Sequence, residues 1–158
     1  MACSLKSSYL SSTTYSVLLN KSYKTKIMGL DMYLFKLKRE ALKNPTFNMD
    51  EDGEEVMYWR KANAIHHWFT YGHENDNLEY LECGMDELQI LKKQCQEDID
   101  NKDNPDHKKN LVTASGFFWG GMEYDEWFYK DLQETVDKIT ELEQEHEKGD
   151  EYFYYAWY

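Results

Sequence analysis

From Asp125 to Lys148 the large apolar residues fall at Phe128, Leu132, Val136, Ile139 and Leu142. Steps of three and four place them on one stripe of an α-helix. The outer side is rich in Glu, with Lys138 set among Glu134, Asp137 and Glu141, and Gly149 marks the end. A helix with one dry face draws most of its stability from the surface that covers that face. The rest of the chain must therefore supply a sheet or further helices.

It has the patterns for both. Asp86 opens a second helix, with Leu88, Leu91, Cys95 and Ile99 as its core stripe. Tyr58, Ala62, Ile65 and Phe69 fall at i, i+4, i+7 and i+11, a third helical stripe with Gly72 as its stop. Leu30 to Lys38 alternates as a strand does, and Val56 to Trp59 fits either a short strand or the entry to the helix. Leu78 to Cys83, Leu111 to Phe118 and Glu151 to Tyr158 are further strand-like runs. Lys43 to Glu55, His73 to Asn77 and Asn101 to Asn110 are loops, marked by turn residues and charge. About four strands interleaved with three helices predict a single α+β domain, a two-layer sandwich over residues 28–158.

The chain has 158 residues, 13 Tyr, 7 Phe and 5 Trp, so much of its core is built from rings. Its net charge of −12 disfavours generic binding to DNA or RNA phosphates, though not one small anion in a basic pocket. No apolar run approaches the length of a membrane span, so no membrane partner is expected. Cys3, Cys83 and Cys95 have no metal-clip spacing and read as free thiols of a reducing compartment. Residues 1–27 hold Lys6, Lys21, Lys24, Lys26 and seven Ser, with no acid. They read as a disordered N-terminal extension, with the domain proper beginning at Met28. His66, His67, His73 and Cys83 lack ligand spacing, and neighbouring His66 and His67 diverge by about 100° on a helix. Neither a metal nor a cofactor is therefore expected, and no nucleophile elbow is present.

Two segments carry unusual chemistry. Tyr58-Trp59-Arg60-Lys61-Ala62-Asn63-Ala64-Ile65-His66-His67-Trp68-Phe69 packs rings, cations, an amide and imidazoles into about three helical turns. On a continuous helix Arg60, Asn63 and His67 share one face. Arg60 would clamp an anion, Asn63 read an amide edge and His67 exchange a proton, while Trp59 or Trp68 stacks on a planar ring. The plainer reading pairs Arg60 and Lys61 with the many acids and makes the histidines satisfied core or surface groups. The second segment runs from Ser115-Gly116-Phe117-Phe118 to Tyr124-Asp125-Glu126-Trp127, a glycine-containing turn into a helix start. There Asp125 and Glu126 suit the helix dipole, and Tyr124 and Asp125 are candidates to face Arg60 or His67 across a pocket.

Together with Met28-Gly29-Leu30-Asp31-Met32-Tyr33-Leu34, these segments resemble a family of small, mostly uncharacterised proteins encoded by tailed bacteriophages and some bacteria. The resemblance covers Met28 to about Tyr158. It implies an intracellular protein of a bacterial host cell and no particular mechanism. The phage setting, more than any residue, points to a nucleotide-like ligand and an anti-defence role. Three functions stay open. The first is a non-catalytic binder of a small planar or anionic ligand, lined by Trp59, Arg60, Asn63, His67, Tyr124 and Asp125. The second is an acidic module docking a host protein, and the third a small hydrolase pairing His67 with Asp125 or Glu126. The ring content also allows a homodimer.

Overall fold

The computed structural model describes residues 29–74 and 77–158. The expected extension at residues 1–27, and Cys3 within it, lie outside the described residues. Four strands form one antiparallel sheet: β1 (Asp31–Lys38), β2 (Glu54–Arg60), β3 (Tyr80–Cys83) and β4 (Asp150–Trp157), in the order β2-β1-β4-β3. Among the described residues four α-helices accompany them: a single short turn α1 (Met49–Asp52), then α2 (Asn63–Thr70), α3 (Met85–Asp100) and α4 (Glu126–Glu145). The result is the small single-domain α+β fold that the patterns predict.

Strand alternation divides the sheet residues between two faces. Met32 and Leu34 of β1, Met57 and Trp59 of β2, and Tyr152, Tyr154 and Ala156 of β4 enter the buried core. The stripes of α3 and α4 meet them there through Leu88, Leu91, Cys95, Phe128, Leu132 and Ile139, joined by Ile65 and Phe69 of α2. Two core rings bond their polar atoms across the layers: Trp59 Nε1 donates to Thr135 Oγ1 at 2.8 Å, and Tyr154 Oη lies 2.7 Å from His66 Nδ1. The opposite face carries a row of rings, with Tyr33 beside Tyr58 at 5.2 Å and Tyr80 stacked on Tyr155 at 4.7 Å. Tyr58 donates its hydroxyl hydrogen to the buried Asp31 on that side. Cys83 and Cys95 are free and buried, and burial pushes both thiols up.

Two expected elements are corrected. Tyr58 to Phe69 is not one helix. Tyr58, Trp59 and Arg60 end β2, opposite Tyr33, Met32 and Asp31, so the ladder holds them extended. Lys61 then takes a left-handed φ of 60°, with its N–H donating to Leu30 O at 2.8 Å. Ala62 follows at φ −77°, ψ 67°, an inverse γ-turn closed by Asn63 N on Lys61 O. The helix starts only at Asn63, so Arg60 does not share a helix face with Asn63 and His67. The second correction concerns Leu111 to Phe118, which is not a strand. Its N–H groups at Leu111 and Ala114 donate to the side chains of Asp98 and Asn63 instead.

Near the other end of β4, Asp150 lies between Lys38 at 2.7 Å and Lys36 at 3.3 Å and accepts the Glu147 N–H at 2.8 Å. Burial alone would push this carboxyl up; Lys38, the Glu147 N–H and Lys36 outweigh it and hold it at about 2. The folded value lies below the ordinary one, so the stabilisation is complete above the unfolded pKa near 4 and is lost as pH falls through about 2. We expect an acid limb on the order of 2 kcal/mol in urea titrations between pH 5 and 2, reduced in Lys38→Met. An acid limb unchanged in that variant would assign it to other groups.

Candidate functional site

The corner between β2 and α2 is where the two unusual segments meet. Asn63, buried at the first turn of α2, reaches across to the 111–125 segment. Its Nδ2 donates to Gly121 O at 2.7 Å and to Trp119 O at 3.4 Å, and its Oδ1 accepts the Ala114 N–H at 3.1 Å. One amide thus takes the place of strand pairing for three positions of an irregular segment. The segment's start is held in the same way by Asp98, buried on α3. Its carboxylate accepts the N–H groups of Asn110 and Leu111, both at 2.9 Å, and lies 2.7 Å from His107 Nε2. Gly120, at φ 96°, lies so close to Lys61 that an added Cβ would stand 3.2 Å from the Lys61 backbone oxygen. Only glycine combines that backbone with that approach.

Between the corner and the start of α4 lies a cavity of about 290 Å³. Ile65, Phe128 and Leu132 give it apolar lining. Arg60 and Lys61 line it from the corner, and Glu123, Asp125 and Asp131 from the second segment and α4. Asp125 is the N-cap of α4, with its Oδ1 accepting from Trp127 N at 3.0 Å and Phe128 N at 3.1 Å. Asp131 sits a turn and a half further on. Burial pushes its carboxyl up to about 6, Glu134 and Asp125 add to the rise, and Lys130 opposes it. The site therefore holds both signs of charge, and one carboxyl in it changes state near neutral pH.

The sequence-derived site residues divide. Arg60, Asn63 and Asp125 line the cavity. The Asn63 amide is engaged by backbone through both donors and one acceptor position, so its part there is to shape the wall. Tyr124 stands between two lining residues, half exposed, with its ring edge-on to Phe128 at 4.9 Å. Trp59 belongs to the core, beside Phe69 and Tyr154, and does not line the cavity. Nor does His67, half-buried on α2 with its ring edge-on to Tyr71 at 5.9 Å. Trp68 donates Nε1 to Gln94 of α3 at 2.7 Å. His66 is fully buried among Tyr154, Trp119 and Tyr158.

Lys61 and Asp131 are lining residues that the site reading passed over. Asp131 follows Phe128 by three and precedes Leu132, so it borders the apolar stripe; that position was the available signal. Among the described residues, no group of three or more His, Cys, Asp or Glu side chains could hold a metal ion. No described helix is long and apolar enough to cross a membrane. No family model, curated protein or solved structure matches the chain.

Proposed function

We propose that the protein is a non-catalytic binder that holds a small nucleotide-like ligand in the cavity between the β2–α2 corner and α4. The observation that carries this reading is the convergence of the two chemically unusual segments on one concavity. Arg60 and Lys61 would take an anionic group. Asp125 would accept an N–H group of a planar ring seated on Ile65, Phe128 and Leu132. A volume of about 290 Å³ suits a small ligand, near the lower end of the roughly 300–1,000 Å³ usual for such pockets. In the phage setting that the motifs resemble, the ligand would be a host signal withdrawn from use in the infected bacterial cell.

The test is native mass spectrometry on protein purified from bacterial lysate, followed by calorimetry with a panel of nucleoside mono- and diphosphates. A bound mass lost in Arg60→Ala supports the reading. The pH profile adds a second check. Below about 6 the Asp131 carboxyl is neutral and the cavity carries one negative charge fewer. An anionic ligand therefore binds more tightly at pH 5 than at pH 7.5, by about fivefold, and Asp131→Asn flattens the profile. A clean apo mass together with no binding across the panel would sink the proposal.

A further inference from the structure

Beyond the cavity, the second segment presents apolar side chains to solvent. Phe117 is 79% exposed and Trp127 70%, and Phe118, Met122 and Tyr124 are also exposed. Single exposed apolar residues are ordinary, but five within positions 117–127, four of them aromatic, are a local concentration of the kind that marks an interaction site. Two features argue that this surface is built rather than loose. Phe118 holds a left-handed φ of 66°, a costly state for a bulky side chain that persists only where its surroundings impose it. Those surroundings include the Trp119 N–H on Gly116 O at 3.3 Å and the Asn63 amide on Trp119 O and Gly121 O. The rings of Phe117 and Phe118 lie edge-to-face at 4.2 Å, so the two present a joint surface.

Charge indicates what covers it. Glu123, Asp125 and Glu126 are exposed within the same stretch, and the whole chain carries −12. The ammonium of Lys130 lies over the Trp127 ring at 5.4 Å, so this indole already takes a cation on its face. An acidic partner would meet repulsion here, and a second copy of the chain would bring the same acids to the same acids. We propose that the exposed aromatic surface from Phe117 to Trp127 docks a protein segment in which an apolar anchor is flanked by Lys or Arg. The rings would seat the anchor, and Glu123 and Glu126 would set its orientation from the rim. The surface shares Glu123 and Trp127 with the cavity wall, but its occupation does not depend on a ligand there.

Fluorescence anisotropy of the full chain with three labelled synthetic peptides tests this. One has Leu-Phe flanked by Lys and Arg, one the same anchor flanked by Glu, and one the same cations around Ser. The first should bind at least about tenfold more tightly than the others. Phe117→Ser with Trp127→Ser should weaken it by about tenfold or more, and Glu123→Gln with Glu126→Gln by about threefold with a reduced salt dependence. Glu141→Gln with Glu145→Gln, at the far end of α4, removes equal charge and should leave binding unchanged. All six side chains are exposed, so thermal melts should show every variant folded. Equal binding of the three peptides, binding retained in the ring variant, or equal loss in the α4 control would each overturn the proposal. So would a wild-type dimer, seen by sedimentation, that the ring variant dissolves, because the occupant would then be a second copy.

Discussion

Asn63→Ala should lower stability by about 1–3 kcal/mol and release the 111–125 segment from the body of the protein. The side chain is buried and makes three hydrogen bonds, to Ala114, Trp119 and Gly121. Truncation removes those bonds and strands the half-buried Ala114 N–H, while the carbonyl of the exposed Gly121 can turn to water. A stranded group costs about 1–3 kcal/mol, a large share of the roughly 5–15 kcal/mol that holds a domain folded. Hydrogen exchange should show protection lost at Ala114, with the α3–α4 core retained until global unfolding. Asn63→Asp separates the contributions, because it keeps an acceptor for Ala114 while losing the donors to Trp119 and Gly121. Ligand binding in the cavity should fall with both variants, since the segment forms one wall. A loss below about 0.5 kcal/mol in Asn63→Ala would mean that the segment holds its course without this amide.

Asp98→Ala should be the more damaging change, at about 3–5 kcal/mol. The carboxylate is fully buried and accepts from the backbone of Asn110 and Leu111, from Asn110 Nδ2 at 3.2 Å, and from His107. Charge-assisted bonds of this kind exceed neutral ones, and their loss leaves the buried Leu111 N–H without its acceptor. Leu111, the first residue of the irregular segment, is fully buried beside it, so its packing loosens as well. Asp98→Asn is the informative partner, because its amide keeps one acceptor oxygen and turns an NH₂ toward donors. It should fall between wild type and Ala in urea midpoint. A shift confined to the 101–110 loop, with the global midpoint unchanged, would show that Asp98 anchors only that loop.

Asn63 and Asp98 both illustrate what a chain hides from a reader. Each looks like an ordinary polar residue, one in a helix and one near a helix end. Their importance comes from backbone groups far off in sequence, at positions 110–121, which have no strand to pair with. Leu111 to Phe118 has the composition of a strand, and nothing local excludes one. It lies instead along α3 and α2, where side-chain acceptors and donors replace a ladder. Tyr58 to Arg60 poses the same problem. Their apolar spacing to Ala62, Ile65 and Phe69 suits a helix, yet Asp31, Met32 and Tyr33 claim them for the sheet. A common face for Arg60, Asn63 and His67 requires a continuous helix, and the strand end at Arg60 removes it. Arg60 and Asn63 still meet at one cavity, since a two-residue corner brings strand end and helix start together.

What the sequence determined by itself is what depends on neighbours three or four residues away, or two in a strand. The buried stripes of α3 and α4, the alternation of β1, the helix start near Asp125 and the α+β class all belong there, because side-chain polarity at those spacings decides which face can leave water. Tertiary structure decided where β2 ends and α2 begins, that residues 111–125 run without regular structure, and that Asp131 joins Arg60 and Lys61 in one cavity. Those outcomes depend on hydrogen-bond partners and burial contributed by distant segments. No local period encodes them, and they take their form only when the layers pack together.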